Sequence, residues 1–103
     1  MLQEKLKKIE IDVKDYPVVL FMKGNKSLPM CGFSARVVDI LKRSGVEFET
    51  RDVLQDEDLR AAIKEFSNWP TLPQLYIRGK FIGGCDIVEQ LHESGELQDL
   101  LSE

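Results

Sequence analysis

The run Val18-Val-Leu-Phe-Met22 constrains this chain more than any other stretch. It is apolar at every position and rich in β-branched and aromatic residues, so it reads as a strand buried on both faces. A strand of that kind needs cover above and below, which calls for helices on both sides of a sheet. The run then leaves through Lys23-Gly-Asn-Lys-Ser-Leu-Pro-Met30, a loop of turn formers, and delivers Cys31 just ahead of a helical pattern. From Ser34 to Arg43 the apolar positions Val37, Val38 and Leu41 fall at helical spacing, and Gly45 is the stop signal. The first unit is therefore strand, thiol-bearing loop, helix.

The flanking sequence supplies the rest of the sheet. Leu2, Leu6, Ile9 and Val13 recur at spacings that predict an amphipathic helix over residues 2 to 12, packed on the domain. Val46 to Val53 alternates apolar with polar, the period of a strand with one exposed face, and a right-handed crossover places it parallel to the first strand. Asp56 to Phe66 predicts a helix with acidic residues at its amino end and Leu59, Ala62, Ile63 and Phe66 on one face. Trp69-Pro-Thr-Leu-Pro73 cannot be regular structure, because its prolines remove donors and restrict the residues before them.

Gln74 to Ile77 and Lys80 to Gly83, joined by Arg78-Gly79, predict a β-hairpin. Gly83-Gly84 allows a sharp turn and a close backbone approach. Cys85-Asp86 then opens a helix containing Ile87, Val88 and Leu91, and Leu97, Leu100 and Leu101 mark a last short one. The order gives an α/β, thioredoxin-like fold: a mixed four-stranded sheet with helices on both faces, in one domain over residues 1–103.

Composition narrows the function. The net charge of −4 offers no broad basic surface, so nucleic acid is not an expected partner. The longest apolar run is far too short to span a bilayer, and the Lys-rich amino terminus leads into charge rather than an apolar signal region. No membrane association and a cytoplasmic location are expected. Two cysteines in 103 residues do not make a disulfide framework, and they read as redox or metal chemistry.

Cys31 carries that chemistry. At the start of a helix, unpaired N–H groups and the positive end of the helix dipole favour a thiolate, and Lys23 adds a cation from the end of the preceding strand. A Cys-x-x-Cys motif would place its second sulfur at position 34, which is Ser34 here. Three stretches taken together, Met22-Lys-Gly through Pro29-x-Cys-Gly-Phe-Ser34, Trp69-Pro-Thr-x-Pro-Gln-Leu-Tyr76 and Gly79-x-Phe-x-Gly-Gly-Cys-Asp86, resemble the monothiol glutaredoxins of the Cys-Gly-Phe-Ser type. The resemblance runs from about Asp12 to Leu101 and departs from the commonest family wording in the loop Asn25-Lys-Ser-Leu28.

That resemblance implies a two-iron two-sulfur (2Fe-2S) cluster bound between two protomers with glutathione as co-ligand, and delivery of the cluster to iron–sulfur recipient or assembly proteins. A cluster of this kind takes four thiolates, which two protomers offering Cys31 each and two glutathiones can supply. Lys23 and Arg60 are candidates for the glycyl carboxylate of glutathione. Leu72, ahead of a Pro73 that the resemblance makes cis, would offer its backbone to the cysteinyl residue. The helix start at Cys85-Asp86 would take the γ-glutamyl end.

The alternative is a glutathione-dependent thiol–disulfide oxidoreductase, in which Cys31 attacks a mixed disulfide as nucleophile. Against it, Phe33 replaces the Tyr common in dithiol motifs, and the longer loop before Cys31 can displace glutathione from the geometry for attack. Cys85 reads first as a small buried residue at a helix start and second as a further redox thiol. Trp69 reads as packing, and His92, a lone histidine late in a helix, is not assigned to a metal.

Overall fold

The computed structural model describes residues 1–103. Its elements are α1 (Leu2–Asp15), β1 (Val18–Met22), α2 (Gly32–Arg43), β2 (Glu49–Asp52), α3 (Glu57–Ser67), β3 (Gln74–Ile77), β4 (Lys80–Gly83), α4 (Cys85–Ser94) and α5 (Glu96–Ser102). The sheet runs in the order β2-β1-β3-β4. β1 is parallel to β2 and antiparallel to β3, and β3 and β4 form the hairpin. This is the expected α/β arrangement, with helices on both faces.

β1 organises the interior as its sequence requires. Its residues are all buried, and alternate side chains enter two separate apolar layers. Val18, Leu20 and Met22 pack with Val37 and Leu41 of α2, Val88 of α4 and Leu97 of α5. Val19 and Phe21 pack on the other side with Ile9 and Val13 of α1, Ala62 and Ile63 of α3, and Tyr76 of β3. Because β-strand side chains alternate, one continuous apolar run feeds both layers at once.

Two elements, β2 and α1, depart most from the sequence reading. The second strand is confined to Glu49–Asp52, so the alternating stretch from Val46 to Val53 is only half strand. Phe48 and Val53 flank it and are buried in opposite layers, which accounts for the alternation without a longer ladder. The first helix runs on to Asp15, beyond the expected residue 12, and buries Asp12. The Asp12 carboxylate accepts from Arg51 Nε of β2 at 3.0 Å, so a helical acid is fixed to the sheet edge. At α3, Asp56 is the cap: its carboxylate accepts the N–H of Leu59 at 3.0 Å and pairs with Lys5 at 2.7 Å.

Candidate functional site

The chain between β1 and α2 is held by several independent contacts. Gly24 has φ +86°, and a Cβ there would lie 2.4 Å from the carbonyl oxygen of Leu28 and 2.7 Å from the nitrogen of Met30. Only glycine fits both the backbone and the space. Its N–H and that of Leu54 donate to the same Asp52 carboxylate oxygen, each at 2.9 Å. Met30 N–H donates to Lys23 C=O at 2.9 Å, and Asn25 Oδ1 accepts the N–H groups of Ser27 and Leu28. Two lysines secure the outside: Lys26 Nζ donates to Phe48 C=O at 2.7 Å, and Lys42 Nζ donates to Lys26 C=O at 2.9 Å.

This loop ends on Cys31, the extended N-cap residue of α2. Ser34, where a second sulfur would stand in a dithiol motif, is fully buried, and its hydroxyl oxygen accepts the N–H of Lys23 at 3.2 Å. Partial burial pushes the Cys31 thiol up. The N–H and hydroxyl of Ser34, the N–H of Phe33 and the charge of Lys23 together outweigh that burial and hold the thiol below its ordinary value. The serine at position 34 therefore favours the thiolate and does more than replace a cysteine.

Cys31 opens into a cleft of about 630 Å³. Every candidate residue read from the sequence lines it: Lys23, Cys31, Arg60, Leu72, Cys85 and Asp86. One wall is cationic, with Lys23 from the loop and Arg60 and Lys64 from α3, none of which pairs with a carboxylate. Another wall is the segment before β3, where the Leu72–Pro73 bond is cis. The N–H and C=O of Leu72 make no hydrogen bond within the protein. Gln74, buried beneath this segment, donates through Nε2 to the carbonyls of Trp69 and Thr71 and accepts from the Tyr76 hydroxyl.

The third wall is the start of α4. Its N-cap, Gly84, supplies no side-chain hydrogen bond, so the first-turn N–H groups of the helix are free. A Cβ at Gly84 would lie in ordinary contact with Pro73 C=O and Trp69 Nε1, and Trp69 Nε1 is itself buried without a partner. Cys85 lines the same cleft as Cys31 but differs from it in burial and in charged neighbours. It is buried, its sulfur lies 3.8 Å from Glu89 Oε1, and Glu89 also takes a 2.8 Å ion pair from Arg36. Burial and the Glu89 carboxylate push the Cys85 thiol up, with Arg36 opposing them. His92 stands exposed on α4 and does not line the cleft.

Lys64, Phe33, Thr71 and Ile87 also line the cleft, although sequence reasoning did not assign them to it. Lys64 had a readable signal, since it lies four residues after Arg60 and so on the same helix face. Trp69, read as packing, does pack: its ring lies 5.7 Å from that of Phe81. It lines the cleft as well.

The glutaredoxin family profile matches residues 18–82. The chain is 57% identical over 97 residues to monothiol glutaredoxin-S11 of Oryza sativa subsp. japonica, a match covering 94% of this chain and only 20% of that protein. It is 52% identical over 103 residues to probable monothiol glutaredoxin 2 of Rickettsia typhi, covering 100% of this chain and 93% of the relative. Among solved structures, a buckwheat glutaredoxin–glutathione complex superposes with a TM-score of 0.87 at 32% identity, over 98% of this chain and 90% of the other. With Cys31 at the helix start and Ser34 in place of a second sulfur, the chain belongs to the glutaredoxin family as one of its monothiol members.

Proposed function

We propose that the protein carries a 2Fe-2S cluster between two copies of itself, with glutathione completing the ligand set, and passes the cluster to recipient or assembly proteins. The observation that carries this reading is Cys31: one partly exposed thiol held towards thiolate at a helix start, with a buried serine three residues on. One such sulfur per chain cannot satisfy iron that needs four thiolates, and a small thiol bound beside it can make up the number.

The cleft suits glutathione. Lys23 and Arg60 take its glycyl carboxylate, the unpaired N–H and C=O of Leu72 pair with its cysteinyl residue, and the free N–H groups at Cys85 and Asp86 take the γ-glutamyl carboxylate. Bound there, glutathione supplies a second thiolate beside Cys31. The solved complex of a related glutaredoxin with glutathione supports the same ligand. In this reading residues 1–103 work as one glutaredoxin domain and Cys85 stays a thiol outside the ligand set. Anaerobic reconstitution with iron and sulfide, with and without glutathione, followed by absorbance and size exclusion, tests it. The expected result is a coloured dimer that requires glutathione; a stable cluster on a monomer, or one formed equally well without a small thiol, refutes it.

The lowered thiol also favours a second reading, glutathione-dependent reduction of mixed disulfides. There the Cys31 thiolate attacks the glutathione sulfur and the substrate thiolate leaves. A second glutathione then attacks the sulfur of glutathione held on Cys31, releasing glutathione disulfide.

A further inference from the structure

The segment Trp69-Pro-Thr-Leu-Pro73 is short of backbone donors, because Pro70 and Pro73 carry no N–H. A side chain beneath it supplies what the backbone lacks. Gln74, the first residue of β3, is fully buried. Its Nε2 donates to Trp69 C=O at 3.1 Å and to Thr71 C=O at 3.2 Å, while its Oε1 accepts from the Tyr76 hydroxyl at 3.3 Å. Two N–H donors on one atom let a single amide hold two carbonyls two residues apart. Turned over, the amide would set its oxygen against both carbonyls, so this network fixes its orientation.

The consequence for the cleft runs through one peptide plane. The Thr71–Leu72 bond is trans, and in a trans peptide the C=O and the N–H point in opposite directions within a rigid unit. Holding Thr71 C=O on the buried amide therefore turns Leu72 N–H away from Gln74, and Leu72 lines the cleft. That N–H has no partner within the protein. We propose that Gln74 is a positioning residue for glutathione: through the Thr71–Leu72 plane its amide aims Leu72 N–H at the cysteinyl carbonyl of the ligand, an inference that rests on glutathione as the occupant of the cleft.

Gln74 itself does not line the cleft, so it acts only through Leu72. Other contacts keep the segment in place. Ser67 Oγ accepts Trp69 N–H at 3.1 Å and donates to Ile63 C=O at 2.9 Å, and the Leu72 side chain is buried in the layer with Ile9 and Ile63. Loss of the Gln74 amide should therefore free the direction of one donor and leave the segment where it is. A plane that rocks in the empty cleft must be ordered again each time a ligand binds, and affinity falls.

The test uses Gln74→Glu, which keeps the shape and makes the donor depend on a proton. Burial against two carbonyls raises such a carboxyl, so it donates to one of them at about pH 5.5 and to neither once ionised at about pH 8. The one titratable group bonded to the Gln74 amide is the Tyr76 phenol, pushed up to about 12 and neutral throughout that range. Gln74→Met, of similar length and apolar, has no donor at any pH and puts no charge in the interior. Glutathione binding is measured by calorimetry, and the amide resonances of Leu72, Cys85 and Asp86 are followed by NMR as glutathione is added.

The expected result is a Kd about threefold to tenfold above wild type for Gln74→Glu at the higher pH, with the ratio to wild type falling as pH is lowered. Gln74→Met should show a ratio that does not change with pH. The Leu72 amide proton should move downfield on binding in wild type and much less in the weakened variants, while Cys85 and Asp86 respond as in wild type. Wild-type affinity in both variants overturns the proposal. So does a pH-independent ratio for Gln74→Glu, or a loss of response at Cys85 and Asp86 equal to that at Leu72, which is general damage rather than a misdirected donor. A wild-type protein that binds no glutathione is the failure of the glutathione reading itself, seen before any variant is made, and it overturns this inference with it.

Discussion

Replacing Gly24 with alanine tests how tightly the loop before Cys31 is built. Its φ of +86° costs an L-residue about 1–2 kcal/mol. The new Cβ would also stand 2.4 Å from Leu28 C=O, 2.7 Å from Met30 N and 2.8 Å from Met30 Cγ. Two of these are backbone atoms, so the clash cannot be relieved by turning a side chain. The loop must open, weakening the Met30 N–H to Lys23 C=O and Asn25 N–H to Leu28 C=O bonds, each worth about 1 kcal/mol. The total is roughly 2–4 kcal/mol, a large fraction of the ~5–15 kcal/mol that holds a domain together.

Gly45→Ala is the internal control, because Gly45 has φ +74° but nothing within 4 Å of a new Cβ. It should cost only the backbone term of about 1–2 kcal/mol. Urea unfolding of both variants reads the difference as a shift of midpoint at constant slope, and the Gly24 variant should also melt about 10 °C or more below wild type. Equal destabilisation of the two variants, within about 0.5 kcal/mol, would mean that the loop is not packed against itself as described.

Two further outcomes follow from the same geometry. Ser34→Ala removes the hydroxyl that favours the Cys31 thiolate, so the pH midpoint for iodoacetamide alkylation of Cys31, resolved by mass, should move upward; an unmoved midpoint would show that the hydroxyl does not tune the sulfur. Burial pushes the Tyr76 hydroxyl up to about 12, whereas an unfolded tyrosine ionises near pH ~10. Between those values the unfolded chain binds fewer protons than the native one, so stability falls as pH rises above about 10. Tyr76→Phe should flatten that fall in denaturation midpoints, and an unchanged slope would contradict the burial of the phenol.

Most of the architecture was legible because β1 has no polar position. A strand with nothing to show to water fixes a central place in a sheet and cover on both faces, and the helices then declare their inner sides by spacing. β2 was harder. Phe48 and Val53 are buried in different layers from the two ends of a four-residue strand, so their alternation resembles a longer one. Lys23, Cys31, Arg60, Leu72, Cys85 and Asp86 were named from the sequence and line one cleft. Their convergence could be anticipated only through the family resemblance, since nothing local links Arg60 of α3 to Cys85 of α4. The cis bond at Leu72–Pro73 came from the same source.

The part of Ser34 was hidden for a different reason. A serine read only as a missing cysteine conceals its hydroxyl, which engages the Lys23 backbone across eleven residues of chain. Similarly, the pairing of Glu89 with Arg36 depends on the approach of α2 to α4, which spacing along either helix cannot report.

The two apolar layers on either side of the sheet share no side chain. The cleft draws α2 and α4 from one layer and α3 from the other, closing over the end of the strands that separate them. A small molecule lodged there acts as a rivet through both halves, and its binding free energy adds to the resistance of each against opening. Amide hydrogens of α3 and of α4 should therefore slow their exchange together as glutathione is added, with one concentration dependence, although the helices lie on opposite sides of the sheet.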